Sequence, residues 1–524
     1  MSELDLSQQR TLINHLHSQL ASGEEAELIE THISWVILAG DYAYKLKKSI
    51  DFGFLDYSTL EKRRRQCEAE LRLNNRTAAN IYLDVVAIGG QTDAPLIDQQ
   101  PAIEYMVKMH RFPQHALFSQ QLKQKRLKPN HIDLLAEQVA EFHRTTERAA
   151  EDSEFGTPKT LFHPISENFE QIRERIDDLE LLQRLQSVEQ QSREFFETHQ
   201  PLFTQRKADS FIRDCHGDLH LNNIILLDEK PQLFDCIEFN ARLRIIDVIS
   251  EIAFLVMDLQ EHGADHLANQ FLNRYLELSG DYEGVRLLPF YLSYRAMVRA
   301  KVATLRVDQP GLDCSERQAI IDDFSAYLSL AERYSKNTTP QLIITHGLSG
   351  SGKSTLTKPL LAKLNAIRIR SDVERKRLFG LDALAHSGSN IGTAIYSRDA
   401  TGQTYTQLAS LTTAILAGGY TVVVDATFLK REQRERFRSL ATQLKLPFHI
   451  ISFQAPPELL RKWVTERSAL GNDPSEAGVE VLDAQLHSYQ PLEDDELDAT
   501  IVIETGKLHC ATTISETIIN AIEP

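Results

Sequence analysis

The sequence predicts two unlike folds in series: a bilobal α+β part over residues 24–335 and an α/β part over 341–524, the latter a parallel sheet with helices on both faces. Three observations carry this. Strand-like runs surround a single helical stretch up to about residue 109, and from about Asn130 the pattern is mostly helical, interrupted at 212–240. A polar stretch, residues 335–340 ending in Pro340, closes the helical pattern of Ala326–Tyr334. Directly after it, Leu342–Thr345 is a short apolar run that reads as a buried strand.

Taken in order, residues 1–23 read as a helical extension. Leu28–Lys48 read as three strands, with Ser34–Ala39 and Tyr42–Leu46 flanking a tight turn at Gly40 and Asp41. Residues 59–78, rich in Glu, Arg and Leu, read as a helix, and Ile81–Ile88 and Ala102–Met109 as strands. A small sheet lobe (24–108) therefore precedes a larger helical lobe (109–335), and 336–340 is a linker. No repeat at a fixed period and no low-complexity tract is present.

The 524 residues carry a net charge of −17, with 42% apolar and 25% charged residues, which excludes collagen-like and broadly disordered chains. At roughly 150 residues per domain the length exceeds one compact core. No apolar run approaches the roughly 20 residues of a membrane span, and the acidic start lacks the basic and apolar regions of a signal peptide. The five cysteines (Cys67, Cys215, Cys236, Cys314, Cys510) form no Cys-x-x-Cys pair and read as reduced thiols of a cytoplasmic protein. Residues 341–524 carry −2, so the first 340 carry −15. That excess argues against nucleic acid and for cationic or neutral substrates in the first part; charge leaves nucleic acid open in the second.

Residues 216–223 read HGDLHLNN, with Asp218 and Asn223 five apart, the spacing of a kinase catalytic loop. Asp235 follows a short apolar strand twelve residues on. Phosphate transfer needs these types: a carboxylate to orient a hydroxyl and take its proton, and an amide with a second carboxylate to hold Mg²⁺. Upstream, Lys45 in Ala-Tyr-Lys resembles a strand-borne phosphate lysine, with Glu68 or Glu70 as its partner and Glu70 preferred. Arg295 and Arg299, one turn apart, either bind an anionic substrate group or, the preferred reading, form a solvated or salt-bridged helix face, and Asp247 reads as a helix cap.

This ordered set resembles the aminoglycoside phosphotransferase and choline kinase group across most of 24–335. The resemblance implies a kinase-like fold that moves the γ-phosphate of ATP to a small-molecule hydroxyl. It implies Asp218 as catalytic base, Asn223 and Asp235 as Mg²⁺ ligands, Lys45 as phosphate lysine, and Glu104–Lys108 as the hinge beside adenine. One departure stands out: no glycine-rich loop precedes Lys45, and Glu30–Ser34 occupies its place.

Residues 347–354 read GLSGSGKS, a full Walker A match between a strand and a helical start. Gly347, Gly350 and Gly352 let the backbone curl, so that amides through Ser349, Ser351 and Thr355 surround phosphates at a helix N-terminus. Lys353 reaches the β/γ-phosphates and Ser354 ligates Mg²⁺. Asp425 ends the apolar run 421–425 at the Walker B position, as a further Mg²⁺ ligand. Asp372 and Arg375, at i and i+3 after the strand-like run from Ile367, share one face. Asp372 there either accepts a hydroxyl proton or caps the helix, and Arg375 binds an anion. Arg461 and Arg467 precede the loop 471–474 and suit a lid that closes on the transferring phosphoryl group. Arg431 and Arg434 read as solvated.

Asp372, Arg375 and the 461–475 lid resemble a P-loop kinase group that includes gluconate kinases and polynucleotide 5′-kinases. The whole chain resembles bacterial two-domain proteins that join an aminoglycoside-phosphotransferase-like domain to a P-loop kinase-like ATP-binding domain. The expectation is a bifunctional phosphotransferase using ATP and Mg²⁺ on small-molecule hydroxyls, without a membrane partner. The alternative is a catalytic P-loop domain, acting on a small metabolite or a polynucleotide 5′-hydroxyl, beside a nucleotide-binding regulatory domain.

Overall fold

Side chains along a strand alternate between its two faces, and Ser34–Ala39 uses both. Trp35, Ile37 and Ala39 join one buried cluster with Leu12, Ile13 and Leu16. Val36 and Leu38 join another with Ala43, Cys67 and Val107. In the computed structural model this strand, β2, lies in a six-stranded antiparallel sheet of order β1-β2-β3-β6-β4-β5. The others are β1 (Ala26–Glu30), β3 (Tyr42–Lys47), β4 (Tyr82–Gln91), β5 (Ala94–Ile97) and β6 (Glu104–His110). The structure describes residues 3–21, 26–53, 55–308, 311–336, 338–383, 385, 394–470, 474–506 and 511–522.

The helix Leu6–Ala21 covers one face of the sheet and supplies part of its core. The helix Leu60–Asn74, capped by Thr59, covers the other and ends four residues before the expected limit. There the Asn74 side chain accepts the Cys236 amide at 2.9 Å, and the chain turns so that Ala78 and Ile81 enter the core. The edge strand β5 was not expected from the sequence. It holds Pro95, which β-patterning counts against a strand but an edge tolerates. Two short ribbons frame the 212–247 segment: β7 (Ile212–Asp214) pairs with β10 (Ile245–Asp247), and β8 (Ile224–Leu227) with β9 (Lys230–Leu233).

The chain divides into two compact units, residues 1–171 with 194–258 and residues 172–193 with 259–524. The second holds a five-stranded parallel sheet of order β12-β13-β11-β14-β15. Its strands are β11 (Leu342–His346), β12 (Ile367–Arg370), β13 (Val422–Asp425), β14 (Phe448–Gln454) and β15 (Thr500–Glu504). β11 and β13 are buried at every residue, as strands covered on both faces must be. The helices Asp265–Ser279, Leu288–Thr304 and Cys314–Tyr334 belong to this unit too, so the compact units divide elsewhere than the fold change drawn at 336–340.

Two arginines, Arg295 and Arg434, are buried where the sequence placed them on a solvated or salt-bridged face and a solvated one respectively. Arg295 is buried against the Tyr294 ring, and Arg299 donates to the Tyr327 hydroxyl at 3.4 Å. Arg434 is fully buried and grips Glu496 with two bonds of 2.7 and 2.9 Å. Glu496 is 62 residues away in sequence, so no local pattern announces the pair. Asp247 does cap its helix, accepting the Ile249 amide at 2.9 Å, and also binds Arg206 at 2.6 and 2.7 Å. Cys67, Cys215, Cys236 and Cys314 are free thiols, while Cys510 lies outside the described residues. Among the described residues no helix is long and apolar enough to cross a membrane.

Candidate functional site

In the first unit the pleat of β3 sends Lys45 and Lys47 to the same face, toward the helix Leu60–Asn74. Glu70 on that helix receives both: Lys45 Nζ at 2.9 Å on one oxygen and Lys47 Nζ at 2.6 Å on the other. Glu68 is instead exposed beside Arg64, so Glu70 is the partner of Lys45. Lys45 also reaches Asp235 Oδ1 at 2.5 Å, and Lys47 reaches Glu238, whose carboxylate accepts the Tyr57 hydroxyl. Burial alone would raise the Glu70 carboxyl, but the two ammonium groups outweigh it and hold Glu70 below its ordinary range. Burial disfavours the charged forms of both lysines, yet the surrounding carboxylates keep them firmly protonated.

The loop at 216–223 is held by carboxylates from the helix Val248–Glu261. Glu251 accepts the amides of His216 at 2.7 Å and Gly217 at 3.0 Å, and Asp258 accepts that of Leu221 at 2.8 Å. Gly217 has φ of +88°, and a Cβ there would lie 2.8 Å from the Leu243 carbonyl oxygen. Burial pushes His216 down to about 4, so the ring is neutral. Its Nε2 donates to the Phe234 carbonyl at 2.9 Å, tying the loop to the segment that carries Asp235. Asn223 Nδ2 donates to Asp218 Oδ2 at 2.8 Å and to its carbonyl at 3.0 Å. Asp235 adopts φ of +60°, its amide donating to the Tyr82 hydroxyl at 3.1 Å. Lys45, Glu70 and Asp235 thus form one cluster, and Asp218 with Asn223 a second, joined through His216.

Sequence reasoning missed Lys47, Glu238, Glu251 and Asp258. A signal existed for the last two: carboxylates two helical turns apart within a strongly apolar helix. The expected hinge is a correction. Glu104–Lys108 lies inside β6, and Glu104 is fully buried, accepting Arg63 Nε at 3.0 Å and Gln9 at 2.8 Å. Where kinases carry a glycine-rich loop, β1 and β2 meet in a tight turn. There Thr31 Oγ1 accepts the Ser34 amide at 2.9 Å, and Lys48 donates to Glu30 at 2.8 Å.

In the second unit β11 runs into a loop shaped by glycines. Gly347 has φ of +140°, and a Cβ there would sit 2.5 Å from the Phe453 carbonyl oxygen. Gly350 has φ of +84°, and its Cβ would sit 2.7 Å from Val464 Cγ2. Lys353 opens the helix Lys353–Lys363, and its Nζ donates to the carbonyls of Gly347 at 2.9 Å and Leu348 at 2.8 Å. Burial pushes Lys353 down to about 8; Asp425 and Asp372 pull the other way and Arg467 adds to the fall.

A cavity of about 790 Å³ lies over this loop and the ends of β12 and β13, and Ser349–Thr355, Asp372, Arg375, Asp425 and Arg467 all line it. Asp425 is buried, and its Oδ2 makes no hydrogen bond among the described residues but lies 3.9 Å from Arg370 Nε. Asp372 is the second residue of the helix Ser371–Leu378; Arg370 holds the cap position, so the capping alternative does not apply. Arg375 donates to Ile395 O at 3.0 Å and Thr401 Oγ1 at 3.2 Å and faces the Tyr396 ring. Arg467 donates to Ala477 O at 2.8 Å, whereas Arg461 pairs with Asp483 at 2.8 Å on the surface, away from the cavity lining. Of the lid loop, residues 471–473 lie outside the described residues. Tyr396, Trp463 and Glu476 also line the cavity and were not singled out in the sequence.

Family models match two stretches of the chain in series. A family model described as "Phosphotransferase enzyme family" matches residues 56–288, and one described as "AAA domain" matches 342–492. A protein of Mycobacterium tuberculosis is 31% identical over 415 residues, covering 79% of this chain and 80% of its own. Among solved structures, an ethanolamine kinase of Plasmodium vivax matches 59% of this chain and 81% of its own at 14% identity, with a TM-score of 0.38. A gluconokinase from Sinorhizobium meliloti matches 36% of this chain and 93% of its own at 17% identity, with a TM-score of 0.26. The chain belongs to one family with its mycobacterial relative, and it is a phosphotransferase in which an aminoglycoside-phosphotransferase-like domain precedes a P-loop kinase-like domain.

Proposed function

We propose that both sites work, each moving the γ-phosphate of ATP to the hydroxyl of a small molecule. One observation supports this above others: each unit gathers its own phosphate-type lysine and its own carboxylates, Lys45 with Asp235 and Asp218 in one, Lys353 with Asp425 and Asp372 in the other. In the first site Lys45, steadied by Glu70, receives phosphate oxygens, and Asp218 takes the acceptor proton. Asn223 and Asp235 would hold Mg²⁺ there. In the second site the amides of Ser349–Thr355 cradle the phosphates at a helix N-terminus, and Asp372 orients the acceptor hydroxyl. Ser354 and Asp425 would hold Mg²⁺; a hydroxyl and a buried carboxylate beside the phosphate loop, with one Asp425 oxygen making no hydrogen bond, are the hard oxygen donors that ion takes. Bound Mg²⁺ supplies charge neutralisation on the phosphates. Arg467 adds a cation facing the same space. The acidic balance of the first 340 residues favours a cationic or neutral acceptor for the first site.

A second reading makes only the P-loop site catalytic and the first a nucleotide-binding regulator. The tight Thr31–Ser34 turn in place of a glycine-rich loop favours it. Labelled ATP, offered with a pool of hydroxyl metabolites to wild type, Lys45→Ala and Lys353→Ala, decides. Distinct labelled products lost in each variant support two enzymes. Loss of every product in Lys353→Ala, with none specific to Lys45→Ala, supports the second reading.

A further inference from the structure

β12 is an edge strand of the parallel sheet, so its outward backbone groups need partners from elsewhere. The helix Asp265–Ser279 supplies them. Asn269 and Asn273 side-chain amides each donate to Ala366 O at 3.0 Å, and Asn273 Oδ1 accepts the Arg368 amide at 2.8 Å. At the end of that helix the contacts turn toward the nucleotide loop. Glu277 Oε2 lies 3.8 Å from Arg368 Nη2, and Arg368 Nη1 donates to the carbonyl of Ser354 at 2.9 Å. The Glu277 carbonyl accepts Arg377, which also pairs with Glu374 on the helix that carries Asp372 and Arg375. Gly280, at φ of +75°, leaves the space this arginine needs, since a Cβ there would lie 2.8 Å from Arg377 Nε.

We infer that Glu277 is a positioning residue of the P-loop site, acting through Arg368 on the first turn of the nucleotide-binding helix. The inference rests on the proposed reading of that site. The Glu277 and Arg368 side chains are 11% and 14% exposed, so the attraction across 3.8 Å is little screened; the other Glu277 oxygen accepts Arg274 at 2.9 Å, which fixes the carboxylate in place. The helix 265–279 is then a working part of the nucleotide site, although it ends more than sixty residues before the Walker A motif.

The test uses the full chain with Lys45→Ala, so that binding reports the P-loop site, and calorimetric titration with Mg²⁺ and AMP-PNP. Glu277→Gln should raise Kd by about 5-fold or more. Arg368→Gln should do at least as much, and the double variant no more than Arg368→Gln alone. A role confined to folding would lower the thermal midpoint and leave Kd unmoved; that result, or additive losses, overturns the inference. Should a variant fail to fold, hydrogen exchange of the Lys45→Ala chain serves instead. Mg²⁺ with AMP-PNP should slow exchange in peptides covering 265–279, and should not when Lys353→Ala is added. Unchanged exchange there while calorimetry registers binding also overturns it. No binding at all by the Lys45→Ala chain refutes the proposed P-loop site itself, and the inference falls with it.

Discussion

Lys47 Nζ lies 2.6 Å from Glu70 Oε2, on the carboxylate oxygen that Lys45 leaves open. One buried carboxylate is thereby held by two ammonium groups from alternate residues of one strand. In the proposed site Lys45 is the lysine that meets nucleotide, and Lys47 braces Glu70 from behind.

Lys47→Met should therefore cost stability. It strips one cation from two buried carboxylates, Glu70 and Glu238, and breaking a buried pair typically costs about 3–5 kcal/mol. Urea unfolding should show this. Glu70 is held below its ordinary value of 4.5, so its stabilising contribution is full above pH 4.5 and is lost as pH falls toward about 2. Unfolding measured between pH 6 and pH 3 should show a shallower acid loss in Glu70→Gln than in wild type.

Asp218→Asn should abolish transfer at the first site while leaving nucleotide bound. An amide keeps an oxygen for the bond from Asn223 Nδ2, so the loop holds its shape, but it cannot take a proton. Loss of a general base lowers the rate about 10²–10⁴-fold. With the second site silenced by Lys353→Ala, single-turnover transfer at the wild-type rate would remove Asp218 from this role.

Nucleotide binding at the P-loop should take up protons near pH 8. Burial depresses Lys353 to about 8, and phosphate oxygens beside its ammonium favour the charged form, so binding raises its pKa. Affinity should fall above pH 8. Calorimetry in buffers of different ionisation enthalpy should register uptake in the Lys45→Ala chain, and none at pH 6.5.

Arg434→Ala and Arg431→Ala, three residues apart, should differ sharply. Arg434 is buried on Glu496, so its loss strands a buried carboxylate and should cost about 3–5 kcal/mol. Arg431 pairs with Asp495 at the surface and should change stability by about 0.5 kcal/mol or less. Comparable thermal midpoints for the two variants would contradict the burial argument.

The sequence by itself determined the parts of each site that chemistry constrains locally. Walker A glycines announce themselves because only glycine tolerates the positive φ and close contacts at Gly347 and Gly350. The spacing of Asp218 and Asn223 is legible because one short loop must present both. The strands of both sheets were legible where apolar residues alternate or run together, as in β2, β11 and β13. Only the tertiary structure decided which carboxylates serve as partners. Glu70 over Glu68 depends on which side of a helix meets β3, and Glu251 and Asp258 reach the 216–221 loop only once their helix packs beneath it. Arg434 changes from a surface residue to a core one because Glu496 arrives from far along the chain. The Asn273 and Glu277 contacts with β12 are of the same kind. Hydrogen-bond and charge partners are chosen by proximity in space, and a local sequence pattern carries that information only within a turn or a strand.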